Sequence, residues 1–207
     1  AVNIPALLAE RRDLLSRGVP EPRLRVSQRA QVVAPYHVLL DEYEEQRLGD
    51  RKFGSTRSGI APFYADKALK LGIQVADLFD EPRLRDRLTA SLTAKNVLLE
   101  HLYHKPPFEV DSLLDELLAQ AEQIRPFVCD TLSLLHDALA DGRRILLEGQ
   151  LGALRDPDHG IWPYPTSSSP LAAFAGVGAG VPPQAIGRVV AVVKAYSSCV
   201  GAGPFVT

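Results

Sequence analysis

The chain has 207 residues, of which 46% are hydrophobic and 23% charged, and a formal net charge of −2. This is the balance of a globular protein of one large domain or two small ones. The charge offers nothing to nonspecific nucleic-acid binding, and no apolar run reaches the roughly 18 residues that span a bilayer. The two cysteines, Cys129 and Cys199, are far apart and form no CxxC pair. They make neither a disulfide framework nor a zinc knuckle, and they fit a reducing cytoplasm. No secretory signal opens the chain, since Ala1-Val2-Asn3 leads into an amphipathic segment. The absence of Met, the start at Ala1 and the abrupt end at 201–207 suggest an excised piece of a longer protein.

In chain order, Pro5 to Arg17 is expected as a first helix, with Pro5 in its first turn and Gly18 at its end. Leu24 to Val26 is a short strand candidate. Tyr36 to Leu48 forms a second helix, with Leu39, Leu40 and Tyr43 inward and Gly49 as its stop. Arg51 to Ser55 is another strand candidate. The segment Gly54-Ser55-Thr56-Arg57-Ser58-Gly59-Ile60-Ala61-Pro62 follows. Its Gly, Ser and Thr residues offer uncovered N–H groups and hydroxyls that suit a phosphate. It lacks the GKS/T ending of a Walker A loop, and a plain surface turn has the same composition. Phe63 to Leu71 continues as a helix that carries Lys67 and Lys70 one turn apart.

Asp80 is a good N-cap for a long helix from Glu81 to Tyr103, with Pro82 tolerated in its first turn. Pro106-Pro107 breaks it. Ser112 to Ile124 and Phe127 to Ala140 follow, so residues 80–141 read as a helical subdomain. His101, His104 and His136 lack a convincing ligand set and are expected as surface or capping histidines rather than metal ligands. Ile145-Leu146-Leu147 is expected as a buried strand. After it comes Glu148 to Ser169, EGQLGALRDPDHGIWPYPTSSS. This stretch holds the only Trp and shows no helical period. A loop of that length is functional or disordered, and its aromatics argue against disorder. At the end of a strand it sits where open α/β sheets place ligands, and the alternative is a packed structural loop. Pro170 to Ala175 suggests a short helix and Gly176 to Gly180 a flexible run. Arg188 to Ser197, with four valines, suggests a central strand.

Three segments together resemble adenylosuccinate synthetase. Residues 54–67, GSTRSGIAPFYADK, are similar to the family's G-T-T-x-R-G-I-G-P-x-Y-x-D-K. The stretch 148–169 is similar to E-G-A-Q-G-x-L-L-D-x-D-x-G-T-Y-P-[FY]-V-T-S-S-N. Residues 194–205, KAYSSCVGAGPF, are similar to K-A-Y-x-T-R-V-G-x-G-P-F. All three occur in the family's order and spacing, and they correspond to the middle of its longer sequence.

The resemblance implies GTP-dependent ligation of aspartate to IMP with Mg²⁺, in purine (AMP) biosynthesis, by a cytoplasmic homodimer. It implies that Thr56 and Thr166 bind the nucleotide phosphate and that Val200 and Gly201 line the nucleotide pocket. Asp156, Asp158, His159 and Gly160 would be architectural. The family's arginine that reaches the neighbouring subunit's IMP falls at Lys70, which keeps the charge without the planar fork. Its IMP-binding glutamine falls at Leu151, with Gln150 one residue early as the nearest polar candidate. Other departures are Ser58 for arginine, Cys199 for arginine and Ser169 for asparagine. The motifs for the catalytic Asp and His, GTP and aspartate are not in these residues, so no catalytic or metal-binding residue is assigned and the chain by itself is expected to be inactive.

The fold expected is α/β but mostly helical: a partial central sheet of short strands with an inserted helical subdomain, a fragment of the family's P-loop-like fold. Its parts would be 1–79 with the phosphate loop 54–62, the helical subdomain 80–141, and 142–207 with the nucleotide loop 148–169. The alternatives are a divergent paralogue acting on another purine nucleotide and a non-catalytic dimerisation module.

Overall fold

The computed structural model describes residues 1–196, 198 and 200–204. The chain is mostly helical, and among the described residues one sheet forms, of two short parallel strands. Residues 1–47 and 57–130 form one compact unit, and residues 48–56 and 131–207 form a second.

The first unit begins with α1, Ile4–Ser16, where the side chain of Asn3 accepts from the Ala6 amide at 3.1 Å and Pro5 occupies the first turn. Such a cap satisfies one of the orphan donors at a helix start. β1, Val26–Ser27, pairs in parallel with β2, Val128–Cys129, in the register Val26 to Val128. α2 spans Pro35–Leu48 and α3 Ile60–Leu69. α4 spans Glu81–Leu98, capped by Asp80 through the Arg83 amide at 3.1 Å. One π-helical turn, Leu99–Tyr103, and a left-handed His104 close it just before Pro106. α5 spans Val110–Ile124.

The core lies between α4 and α5. Leu84, Leu88, Leu92 and Leu99 face Leu114, Leu117, Ala121 and Ile124, and none exceeds 1% exposure. The first set recurs at steps of four and seven and the second at three and four, the spacings of one helix face. Each fully buried leucine contributes about 1.5–3 kcal/mol of transfer free energy as an upper estimate. Asn96 fastens the connection between the two helices. It donates to the Phe108 carbonyl at 3.0 Å and accepts from its amide at 2.9 Å.

The second unit holds α6, Thr131–Ala140, and α7, Ala172–Ala179, linked by His136 Nε2 to the Gly180 carbonyl at 2.8 Å. No described helix is long and apolar enough to cross a membrane.

Several expected elements take other forms. Ile145–Leu147 is not a buried strand; it has no regular structure and Leu146 is 91% exposed. Residues 188–196 likewise form no strand, and Val192 is 96% exposed. Ser197, the end of that expected strand, lies outside the described residues. A β-branched run becomes a strand only where a neighbour supplies the ladder, and among the described residues only β1 and β2 pair as strands. Arg51 closes a 3-10 turn, Gly49–Arg51, rather than opening a strand. The expected glycine-rich flexible run is instead the second half of α7, which Gly180 ends in the left-handed region. Pro126 sits in a 3-10 turn that leads into β2, so α6 begins only at Thr131.

Candidate functional site

In the second unit the long loop is organised around a carboxylate. Asp156 is 1% exposed. Its Oδ1 accepts from the amides of Asp158 at 2.9 Å and His159 at 3.1 Å, and its Oδ2 from the hydroxyl of Ser169 at 2.5 Å. The Ser169 hydroxyl and these amides hold its carboxyl below the usual carboxylate range. The middle of the loop and its C-terminal end are thereby fixed on one side chain. Ser169, where the family pattern has asparagine, is one of the donors.

Arg155, next in sequence, joins this loop to the motif segment around Val200. Its carbonyl accepts from the Thr166 amide at 2.7 Å. Its guanidinium donates to the Tyr164 carbonyl and, at 3.2 Å, to the Val200 carbonyl. The Ala202 amide donates to the Phe53 carbonyl at 2.7 Å. Gly54, at φ +70°, lies so close to the same turn that a Cβ on it would be 3.0 Å from the Gly201 Cα. The Phe53 and Tyr164 rings meet edge to face with centroids 6.3 Å apart. Segments around residues 53–56, 164–169 and 200–202, distant in sequence, therefore converge within one unit.

Of the residues expected to bind nucleotide, Thr56, Thr166, Val200, Gly201 and Gln150 all belong to this unit. Thr166 is half-buried, and Thr56, Gln150, Val200 and Gly201 are exposed. Leu151 is 65% exposed and has φ +87°, a left-handed backbone that costs a non-glycine residue free energy. Lys70 belongs to the first unit, where it is the exposed, left-handed C-cap of α3 and its carbonyl accepts from Arg87 at 3.3 Å. Cys199 lies outside the described residues.

The first unit contains a polar cluster that the sequence reading did not single out. The Ala34 amide donates to His37 Nδ1 at 2.9 Å, so Nε2 carries the proton and donates to Asp66 Oδ2 at 3.0 Å. Lys95 Nζ reaches Asp66 Oδ1 at 2.7 Å and the Ser91 hydroxyl at 2.8 Å. The Tyr36 hydroxyl donates to Asp66 Oδ2 at 3.3 Å and accepts from Ser91 at 3.2 Å. All five residues are buried. Burial lowers the His37 pKa, against the opposing pull of Asp66. Burial alone would raise that of Asp66, but the hydrogen bonds from His37 and Lys95 and the Lys95 charge bring it below the usual range. The cluster clamps α3 to α2 and α4. Beside it, the Gly59 amide at the start of α3 donates to Asp41 Oδ2 at 2.9 Å. Gly59 has φ +76°, and a Cβ there would stand 2.7 Å from the Val38 nitrogen. The legible signal for this cluster was Asp66 itself, which stands inside the Y-x-D-K part of the first motif.

Comparison with known proteins decides the family. A sequence profile described as adenylosuccinate synthetase matches residues 1–207. The chain belongs to the adenylosuccinate synthetase family. The adenylosuccinate synthetase of Bacillus cytotoxicus is 47% identical over 206 residues, which are 100% of this chain and 48% of that protein. That of Symbiobacterium thermophilum is 47% identical over 203 residues, 98% of this chain and 47% of that protein. The structure of the fully ligated adenylosuccinate synthetase from Plasmodium falciparum matches with a TM-score of 0.84 at 25% identity, over 99% of this chain and 47% of that chain. The chain thus spans about half the length of the curated relatives it matches. Membership agrees with the convergence seen in the second unit, since each segment gathered there carries one of the family's motifs. Among the described residues, no three His, Cys, Asp or Glu side chains come together as metal ligands.

Proposed function

We propose that the protein acts in GTP-dependent ligation of aspartate to IMP, and that this chain supplies part of the IMP site. The observation that carries the reading is the gathering, around Arg155 and Gly54, of the segments that hold Thr56, Thr166, Val200 and Gly201. The reaction phosphorylates the base oxygen of IMP and then displaces that phosphate with the aspartate amine. Such chemistry demands fixed geometry and charge compensation more than covalent work by the protein. Thr56 and Thr166 donate hydroxyl hydrogen bonds to the oxygens of the IMP 5′-phosphate. Val200 and Gly201 line the nucleoside. Lys70 serves the neighbouring subunit of a homodimer in the cytoplasm. GTP supplies the phosphoryl group with Mg²⁺.

A second reading has its own observation. Leu151 stands exposed in the loop where the family has a hydrogen-bonding glutamine. A site that loses a polar partner discriminates differently among ligands, and this favours a paralogue with a changed purine nucleotide. Calorimetric titration of the full-length protein with IMP, GMP, AMP and inosine decides between the two. Saturable binding with IMP preferred supports the first. Preference for another nucleotide supports the second, and binding of none overturns both.

A further inference from the structure

Arg155 is the least expected residue of the converging loops, because the family pattern has leucine at its position. Its guanidinium is half-buried and donates to two backbone carbonyls, those of Tyr164 and Val200. Among the described residues, no carboxylate pairs with it. The nearest in sequence, Asp156, has its oxygens engaged by Ser169 and the amides of Asp158 and His159. A partly buried cation held only by carbonyl oxygens keeps its full charge uncompensated, at a desolvation cost that an arriving anion offsets. Arginine suits this post because its fork can bridge two acceptors at once, whereas lysine offers a point charge.

We propose that Arg155 is a positioning residue of the phosphate subsite: it ties the Tyr164–Thr166 turn to the Val200–Gly201 turn and carries a positive charge that the ligand's phosphate neutralises. The inference rests on the reading that a phosphate-bearing nucleotide binds at Thr56, Thr166, Val200 and Gly201. It goes beyond that reading in assigning a determinant that the family motif does not contain. The tie acts without ligand, through the Thr166 amide bonded to the Arg155 carbonyl and the two carbonyls bonded to its guanidinium. The charge acts only on ligands that bear phosphate.

The test uses the full-length protein as wild type, Arg155→Lys and Arg155→Leu, titrated with IMP and with inosine, which lacks the phosphate. Loss of a charged hydrogen-bonding group predicts that Arg155→Leu weakens IMP by about 10- to 100-fold, while inosine changes far less. Arg155→Lys, retaining charge without the fork, falls between wild type and Leu for IMP. Hydrogen exchange of the ligand-free proteins reads the tie separately: Arg155→Leu keeps the backbone carbonyl that the Thr166 amide meets, so faster exchange at Thr166 reports the turn loosened by loss of the guanidinium bonds to Tyr164 and Val200. Equal weakening of IMP and inosine would reduce Arg155 to a structural role and overturn the proposal, as would unchanged IMP affinity. If the wild type binds no purine nucleotide, the functional reading fails. Exchange at Thr166 then judges the tie, and an unchanged rate overturns it. If Arg155→Leu does not fold, Arg155→Lys carries the same comparison, with equal IMP affinity to wild type as the overturning result.

Discussion

The two units solve the same problem in opposite ways. Each is organised around a buried aspartate with several donors. Asp66 in the first unit is met by a cation, Lys95, and by His37, Ser91 and Tyr36, so charge and counter-charge are enclosed together. Asp156 in the second is met by a hydroxyl and two amides, while the cation beside it, Arg155, is met by carbonyls. There the two formal charges are adjacent in sequence and yet, among the described residues, unpaired. A closed ion pair stabilises a packing arrangement and has nothing left to offer a ligand. Loops held by neutral partners keep a charge available. The first pattern suits a structural clamp and the second a binding surface.

The largest expected effect breaks the clamp. Asp66→Ala strands the buried Lys95 ammonium and costs about 3–5 kcal/mol of stability, read by urea denaturation. A wild-type midpoint would show that the pair is not closed. Leu117→Ala opens a cavity between α4 and α5, at a cost of about 2–5 kcal/mol. Equilibrium unfolding checks it, and it calibrates how much of the first unit rests on apolar packing rather than on the ion pair.

pH separates the units more finely. The His37 pKa is lower folded than unfolded, so the unfolded state binds more protons in the window between. Its stabilising contribution is complete above about pH 6.5 and is lost as pH falls toward the folded value. Asp66 and Asp156 are also lowered, and their contributions are lost only on falling below about pH 3.9. Protection factors of first-unit amides, corrected for the intrinsic pH dependence of exchange, should therefore fall on acidification from about pH 6.5 to 5, while those of Asp158 and His159 should not. His37→Gln removes the difference. A smaller and local effect follows from Asp156→Ala. The Asp158 and His159 amides lose protection while the unfolding midpoint of the first unit stays put; a global loss of stability would contradict the contrast. The smallest is Arg17→Ala, which removes an exposed pair with Asp13 at 2.8 Å. It should change stability by less than about 0.5 kcal/mol, within the error of a denaturation curve.

Much of the first unit was legible in the sequence. Asp80 before Glu81-Pro82 marked the start of α4, and Pro106-Pro107 marked the break after it. The motif segments named the candidate residues. What escaped were the valines at 189–193 and the apolar run at 145–147, which have a strand's composition but find no ladder among the described residues. Arg155 escaped as well. Its importance lies in carbonyls 9 and 45 residues away, and no local pattern records such distances.

Sequence alone determined the helices of the first unit, because caps, prolines and apolar period act within a few residues. It also determined the family, through three motifs in order. Only the tertiary structure decided which of those motifs meet. It brought Thr166 and Val200 to Arg155 and Gly54 to Gly201 within one unit, and it enclosed His37, Asp66 and Lys95 in another. The reason is physical: hydrogen bonds and ion pairs between residues far apart in the chain form only after packing has offset the entropy of bringing them together.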